Sequence, residues 1–170
     1  MLVVFRGLPG TGKSFLARKL LQRRPGFLVL SRDRLRATVV PRPTFGPEEK
    51  GLVDDMIVLM AGFLLARDRD VVIDGMALSS AKRLQEFAQA ARSHGAPFRI
   101  VECVCAEKTA LSRIGSDRGA HPAGDRGGKL YFEVKARFEP SAEPVLRVDT
   151  DGETEANVRA ILAYLDAGQP

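Results

Sequence analysis

One octapeptide constrains this chain more than any other feature: Gly7-Leu8-Pro9-Gly10-Thr11-Gly12-Lys13-Ser14. It fits G-x-x-x-x-G-K-[ST], a loop whose glycines let the backbone wrap closely around phosphate oxygens. The N–H groups of such a loop point inward at the positive end of a helix. The flanks supply the context the pattern needs. Leu2-Val3-Val4-Phe5 is a short apolar run that reads as a buried strand. Phe15, Leu16, Leu20 and Leu21 then recur at helical spacing, with neither Gly nor Pro before Pro25. Gly7, Pro9, Gly10, Thr11, Gly12, Lys13 and Ser14 are therefore expected to hold a nucleotide, ATP. Lys13 would reach its β- and γ-phosphates, and the Ser14 hydroxyl would bind Mg²⁺.

Downstream, apolar strand-like runs alternate with helical patterns. Strands are expected at Phe27–Leu30, Asp70–Asp74, Phe98–Cys105 and Pro144–Val148. A helix from Glu48 is expected to bury Met56, Leu59, Met60 and Phe63, and the next one Leu84, Phe87, Ala88 and Ala91. Helical patterns also begin near Ala106, Lys129 and Glu153. The alternation argues for an α/β three-layer sandwich, a five-stranded parallel sheet with helices on both faces. No linker or internal repeat marks a second unit, so residues 1–170 read as one domain. Residues 115–128 form a glycine-rich, charged insertion that reads as a mobile lid.

Charge and cysteine content narrow the partners less. A net charge of +5 permits a polyanion, but solvated arginines on an ATP-binding protein give the same balance. Cys103 and Cys105 lie two apart in a strand-like run and read as buried thiols without metal-ligand spacing. Met1 leads straight into the first strand, and the Met56–Ala66 apolar stretch is too short to span a bilayer. The expectation is a cytoplasmic protein with no membrane association and no obligate protein partner.

Three sets of residues carry candidate chemistry. Asp74 closes an apolar strand, where a carboxylate can hold the Mg²⁺ shell or orient groups in the site; helix capping is the plainer alternative. Asp33 follows the second strand, in the crevice at the carboxyl ends of a parallel sheet, and could take a proton from an attacking hydroxyl. It could equally be the N-cap of a helix beginning at Arg34. Arg32, Arg34 and Arg36 surround it and suit an anionic acceptor or a solvated face. Arg113, Arg118 and Arg126 flank or occupy the insertion, where arginine could neutralise charge on the phosphates. His121 reads as a solvated lid residue, and His94 as structural, near a helix C-terminus.

These residues, in this order, resemble the polynucleotide 5′-hydroxyl kinase branch of the small P-loop kinases, a group that includes zeta-toxin-like and antibiotic phosphotransferases. The match runs from Gly7–Ser14 through Ser31-Arg32-Asp33 with Arg36, then Val71–Asp74, then Arg113 and Arg118-Gly119. The resemblance implies a P-loop kinase sheet of order 2-3-1-4-5. It also implies transfer of the ATP γ-phosphate to a hydroxyl acceptor, with a nucleic acid 5′ end as the first expectation. By it, Asp33 is the general base, Arg36 binds acceptor phosphate, and Arg113 and Arg118 hold ATP phosphates. Lys13, Asp33 and Arg118 would be catalytic, with Arg32, Arg36 and Asp74 on the substrate. The lid from His121 to Gly128 is the chain's own. A small-molecule hydroxyl (antibiotic, sugar or nucleoside) is the alternative acceptor.

Other phosphate-loop classes fit less well. A GTPase would want Asn-Lys-x-Asp, yet the sole asparagine is Asn157, in the last helix. A motor-type ATPase would want glutamate beside Asp74, and Gly75 stands there. A pure binding module has no use for Asp33 beside an arginine cluster.

Overall fold

The apolar run at the start of the chain becomes the centre of a sheet. In the computed structural model, which describes residues 1–116 and 128–167, β1 (Leu2–Arg6) is buried along its whole length. Its side chains alternate between two cores, as a strand requires. Leu2 and Val4 join one core with Ile57, Leu65, Leu84 and Phe87. Val3 and Phe5 join the other with Leu16, Leu20, Val158 and Ile161. A strand covered on both faces has no polar positions to spare, which explains the uninterrupted apolar run.

The remaining elements follow the expected alternation. They are α1 (Lys13–Arg23), β2 (Leu28–Ser31), α2 (Arg32–Val39), α3 (Pro47–Leu65), β3 (Val71–Asp74), α4 (Ala81–Ser93), β4 (Phe98–Val104), α5 (Glu107–Ser116), α6 (Gly128–Ala136), β5 (Val145–Asp149) and α7 (Thr154–Asp166). All five strands run parallel in the order β2-β3-β1-β4-β5. Parallel pairing brings the carboxyl ends of β1, β2 and β3 to one edge, with Ser31 opposite Asp74. The phosphate loop, Asp33 and Asp74 share that edge for this reason.

The α4 expectation is met: Leu84, Phe87, Ala88 and Ala91 are its buried residues. His94 is the α4 C-cap. α3 corrects the sequence reading. It buries Val53, Ile57, Ala61 and Leu65, while Leu59 is 74%, Phe63 58% and Met60 39% exposed. Both sets recur at helical spacing, so periodicity alone could not choose between them. Three of the four buried side chains, Val53, Ile57 and Ala61, are β-branched or small, which lets the helix approach its neighbours closely.

One charged side chain is sealed in the fold completely among the described residues. Arg6 is fully buried, with its guanidinium 4.3 Å from the Phe138 ring centroid. Its Nε lies 3.3 Å from Glu102 Oε2, and its Nη2 donates to the Glu139 carbonyl at 2.7 Å. Burial lowers its pKa, and Glu102 opposes that shift. Glu102 also pairs with Arg147 at 2.7 Å. The network fastens the chain after α6 to the strand that carries the phosphate loop. Cys103 is buried and Cys105 half-buried, both as free thiols, and burial pushes Cys103 up to about 12. Among the described residues no helix is long and apolar enough to cross a membrane.

Candidate functional site

The loop between β1 and α1 has the geometry its glycines permit. Gly10 and Gly12 sit at φ 79° and 78°, and Gly7 at 144°, all in the region that side chains avoid. A Cβ on Gly10 would fall 2.4 Å from the Ala110 carbonyl oxygen, and one on Gly7 2.4 Å from that of Cys103. Backbone cannot yield as a flexible side chain can. Gly10→Ala is therefore expected to lower stability by about 1–3 kcal/mol through strain alone. Chemical denaturation of the variant checks this, and an unchanged midpoint would contradict it.

Gly12 is also the N-cap of α1, whose first turn holds no acidic residue. That end of the helix keeps its positive character for an anion. The Lys13 ammonium donates to the carbonyls of Gly7 at 2.9 Å and Leu8 at 2.8 Å, which holds it over the loop. Thr11 Oγ1 donates to Leu8 O at 2.8 Å and steadies the turn. Pro9 lies in the same loop and lines the neighbouring cleft. The Ser14 hydroxyl donates to Asp74 Oδ1 at 2.8 Å. A hydroxyl and a carboxylate so placed are hard oxygen donors. They suit Mg²⁺, which takes few protein ligands and completes its shell with water and phosphate oxygens.

Two clefts meet at Lys13 and Ser14. One, of about 490 Å³, runs past Gly10 and Gly12 to Phe15, Arg113, Thr150 and Asn157. Arg113 donates to Thr150 Oγ1 and to Thr150 O, both at 2.9 Å, and approaches Gly10 O at 3.5 Å. It is thus fixed beside the phosphate loop, at the end of α5. Thr150 was not legible in the sequence, because only the sheet order brings the end of β5 next to the loop.

The second cleft, of about 430 Å³, opens on the other side and is lined by Arg32, Asp33, Arg36, Asp54, Met76 and Leu130, among others. Arg32 and Arg36 are held by carboxylates. Arg32 Nε lies 2.7 Å from Asp54 Oδ1. Arg36, only 4% exposed, pairs with Glu49 at 3.0 Å and with Asp33 at 3.6 Å. Its Nη2 is buried without a hydrogen-bond partner among the described residues. Such an orphaned donor asks for an oxygen. Burial raises the Asp54 pKa against the pull of Arg32. For Glu49 burial also pushes upward, but hydrogen bonds from Thr44 and Phe45 and the nearby Arg36 outweigh it and leave the carboxyl lowered. Arg34 is exposed and makes no part of the cleft.

Asp33 is not an N-cap. α2 begins at Arg32 behind Ser31, which places Asp33 inside the first turn. Gly75, at φ 79°, passes directly beneath it: a Cβ there would lie 3.2 Å from both Asp33 N and Asp33 Oδ2. Phe45 and Leu78 also line this cleft, and both hold positive φ, at 57° and 49°. Left-handed backbone at bulky residues is strained, and here the strain sits in the cleft wall. Glu49, Asp54, Phe45 and Leu78 escaped the sequence reading, since ion pairs across helices and φ leave no local pattern. Arg118, Arg126, His121 and the expected lid core lie outside the described residues.

The fold and loop define a class: an all-parallel sheet of order 2-3-1-4-5 with a phosphate-binding loop after the first strand, as in solved P-loop kinases. A family profile described as an AAA domain (AAA_33) matches residues 2–127, and the chain belongs to that family. No curated protein matches the sequence. Among solved structures it is similar to a putative kinase from Chloroflexus aurantiacus, at 20% identity over 97% of this chain and 98% of that one, with a TM-score of 0.78. It resembles APE1195 at 25% identity, 99% and 96% coverage and a TM-score of 0.76. It is also similar to the Mycobacterium tuberculosis APS kinase CysC, solved with AMPPNP and APS, at 19% identity, 98% and 97% coverage and a TM-score of 0.74.

Proposed function

We propose that this protein is an ATP-dependent phosphotransferase that moves the γ-phosphate of ATP to a hydroxyl acceptor. The observation that carries the reading is the pair of clefts sharing Lys13 and Ser14. A hydrolase needs one nucleotide site and water. Two clefts meeting at the phosphate loop give a donor side and an acceptor side. The structural neighbours include a kinase solved with the ATP analogue AMPPNP, which supports ATP as donor.

The donor nucleoside occupies the cleft at Arg113, Thr150 and Asn157, with its phosphates on Gly7, Pro9, Gly10, Thr11, Gly12, Lys13 and Ser14. Mg²⁺ held at Ser14 and Asp74 would neutralise phosphate charge there. Asp33 accepts the proton as the acceptor oxygen bonds to the γ-phosphorus and the bond to the β-phosphate oxygen breaks. Lys13 and Arg113 offset the charge that collects on the leaving diphosphate, and the motif resemblance assigns Arg118 the same task. Arg36 offers Nη2 to the acceptor, and Arg32 lies beside it.

The motif order favours a polynucleotide 5′-hydroxyl as acceptor. The ion pairs favour a small neutral alcohol instead, since Arg32 and Arg36 are already matched by Asp54, Glu49 and Asp33. Labelled ATP with a panel of 5′-hydroxyl oligonucleotides and small alcohols separates the two. If two arginine–phosphate contacts hold a single strand, log affinity falls with log salt at a slope of about −1.4. A flat response assigns the acceptor to the small alcohols. Nucleotide turnover without transfer to any member of the panel would count against the transferase reading.

A further inference from the structure

The exposed apolar face of α3 remains unexplained by a nucleotide-binding role. Leu52 is 57%, Leu59 74%, Phe63 58% and Met60 39% exposed, and half-buried Met56 completes the same stripe. Large side chains at this exposure, adjacent along one helix face, are what a stable monomer avoids. A helix that is apolar on both faces is buried on both. The opposite face, Val53, Ile57, Ala61 and Leu65, already packs in the core.

The spacing of the stripe identifies its partner. Leu52, Met56, Leu59 and Phe63 lie four, three and four residues apart, the alternation of a heptad seam that packs against a second helix. The seam is also its own complement. A two-fold axis between Met56 and Leu59 sets Leu52 opposite Phe63, and Met56 opposite Leu59, of an antiparallel copy. The same operation sets Glu48, at the start of the helix, opposite Arg67, just past its end. Glu48 and Arg67 are both exposed, and neither has an ion-pair partner among the described residues. The Arg67 guanidinium instead lies 3.5 Å over the Phe63 ring, at the end of the stripe. Between Met56 and Ala66 the helix carries no charge at all. We infer that α3 is the contact of a symmetric homodimer, two copies of this chain pairing antiparallel along Leu52, Met56, Leu59 and Phe63.

An isologous contact of this kind closes on itself and stops at two copies. α3 turns its opposite side to the acceptor cleft through Lys50 and Asp54, so the seam leaves that cleft open. The inference does not depend on the proposed transfer reaction, and its test needs no substrate.

Sedimentation equilibrium of the full chain at micromolar concentrations should show a mass rising from 18.5 kDa towards twice that value. Leu59→Glu should weaken the association at least about thirty-fold, as loss of a central contact residue does. Leu59 is exposed in the protomer, so the variant should keep its circular dichroism and melting temperature. Phe63→Gln is a second, milder probe with the same expected direction. Glu48→Arg and Arg67→Glu should each weaken the dimer several-fold, and the two together should restore it. A single species of 18.5 kDa at every concentration would overturn the inference. So would a dimer indifferent to Leu59→Glu and Phe63→Gln, or a double charge exchange that fails to restore association.

Discussion

Lys13→Ala is expected to lower phosphoryl transfer by orders of magnitude while leaving the fold intact. Lys13 is only 6% exposed, and its ammonium sits 2.8–2.9 Å from the carbonyls of Leu8 and Gly7. A buried positive charge aimed into a phosphate loop acts on charge that develops during transfer. Removing a single such electrostatic partner costs about 10²–10³-fold in kcat. The fold should survive, because the loop keeps its Thr11–Leu8 hydrogen bond and its glycine geometry. Two measurements separate these effects. A coupled assay for ADP reads turnover. A thermal shift with an ATP analogue and Mg²⁺ reads binding, which stabilises the wild type by about 2.7 kcal/mol at a hundredfold excess over Kd. The variant should melt like the wild type without nucleotide and gain far less with it. A well-folded Lys13→Ala protein with normal turnover would sink the assignment.

Asp33→Asn should lower transfer by about 10²–10⁴-fold and leave ATP affinity nearly unchanged. Asparagine keeps the shape of aspartate and loses its basicity. The α2 boundary sharpens the test. Ser31 is the cap, so a fall in activity cannot be attributed to a lost helix cap at Asp33. The ion pair to Arg36 weakens in the variant, but at 3.6 Å it is the longer of the two that hold that guanidinium, and Glu49 remains at 3.0 Å. The expected signature is therefore a lower kcat with an unaltered KM for ATP. Arg36→Ala should do the reverse for the acceptor, raising its KM more than that of ATP. Full activity in Asp33→Asn would end the base assignment and return Asp33 to a structural role as the partner of Arg36.

Much of this was legible in the chain because the relevant information is local. The glycine loop announces itself through backbone conformations that few other residues adopt. Leu2–Phe5 and Val71–Ile73 read as buried strands because both faces of a parallel sheet are covered. Asp74 was placed by its position at the end of such a strand, and the Ser14 hydrogen bond now joins it to the loop. What could not be read is relational. Which side of α3 faces the sheet depends on what α3 packs against, and the chain offered two equally periodic answers. The carboxylates that hold Arg32 and Arg36 come from α3, 22 and 13 positions downstream. The α2 boundary shifted by two residues, enough to take Asp33 from the cap position into the first turn.

Gly75 has a consequence of its own. Its backbone is left-handed, and a Cβ on it would stand 3.2 Å from Asp33 N and Asp33 Oδ2, so a side chain at this position would be strained and would crowd Asp33. A motor-type ATPase carries its glutamate at this place. A glutamate here would therefore press on Asp33, one carboxylate borne on β3's outlet and the other on β2's. Converting this architecture towards water activation thus asks two neighbouring positions to change together: the Asp33 side chain must give way as a residue 75 glutamate enters.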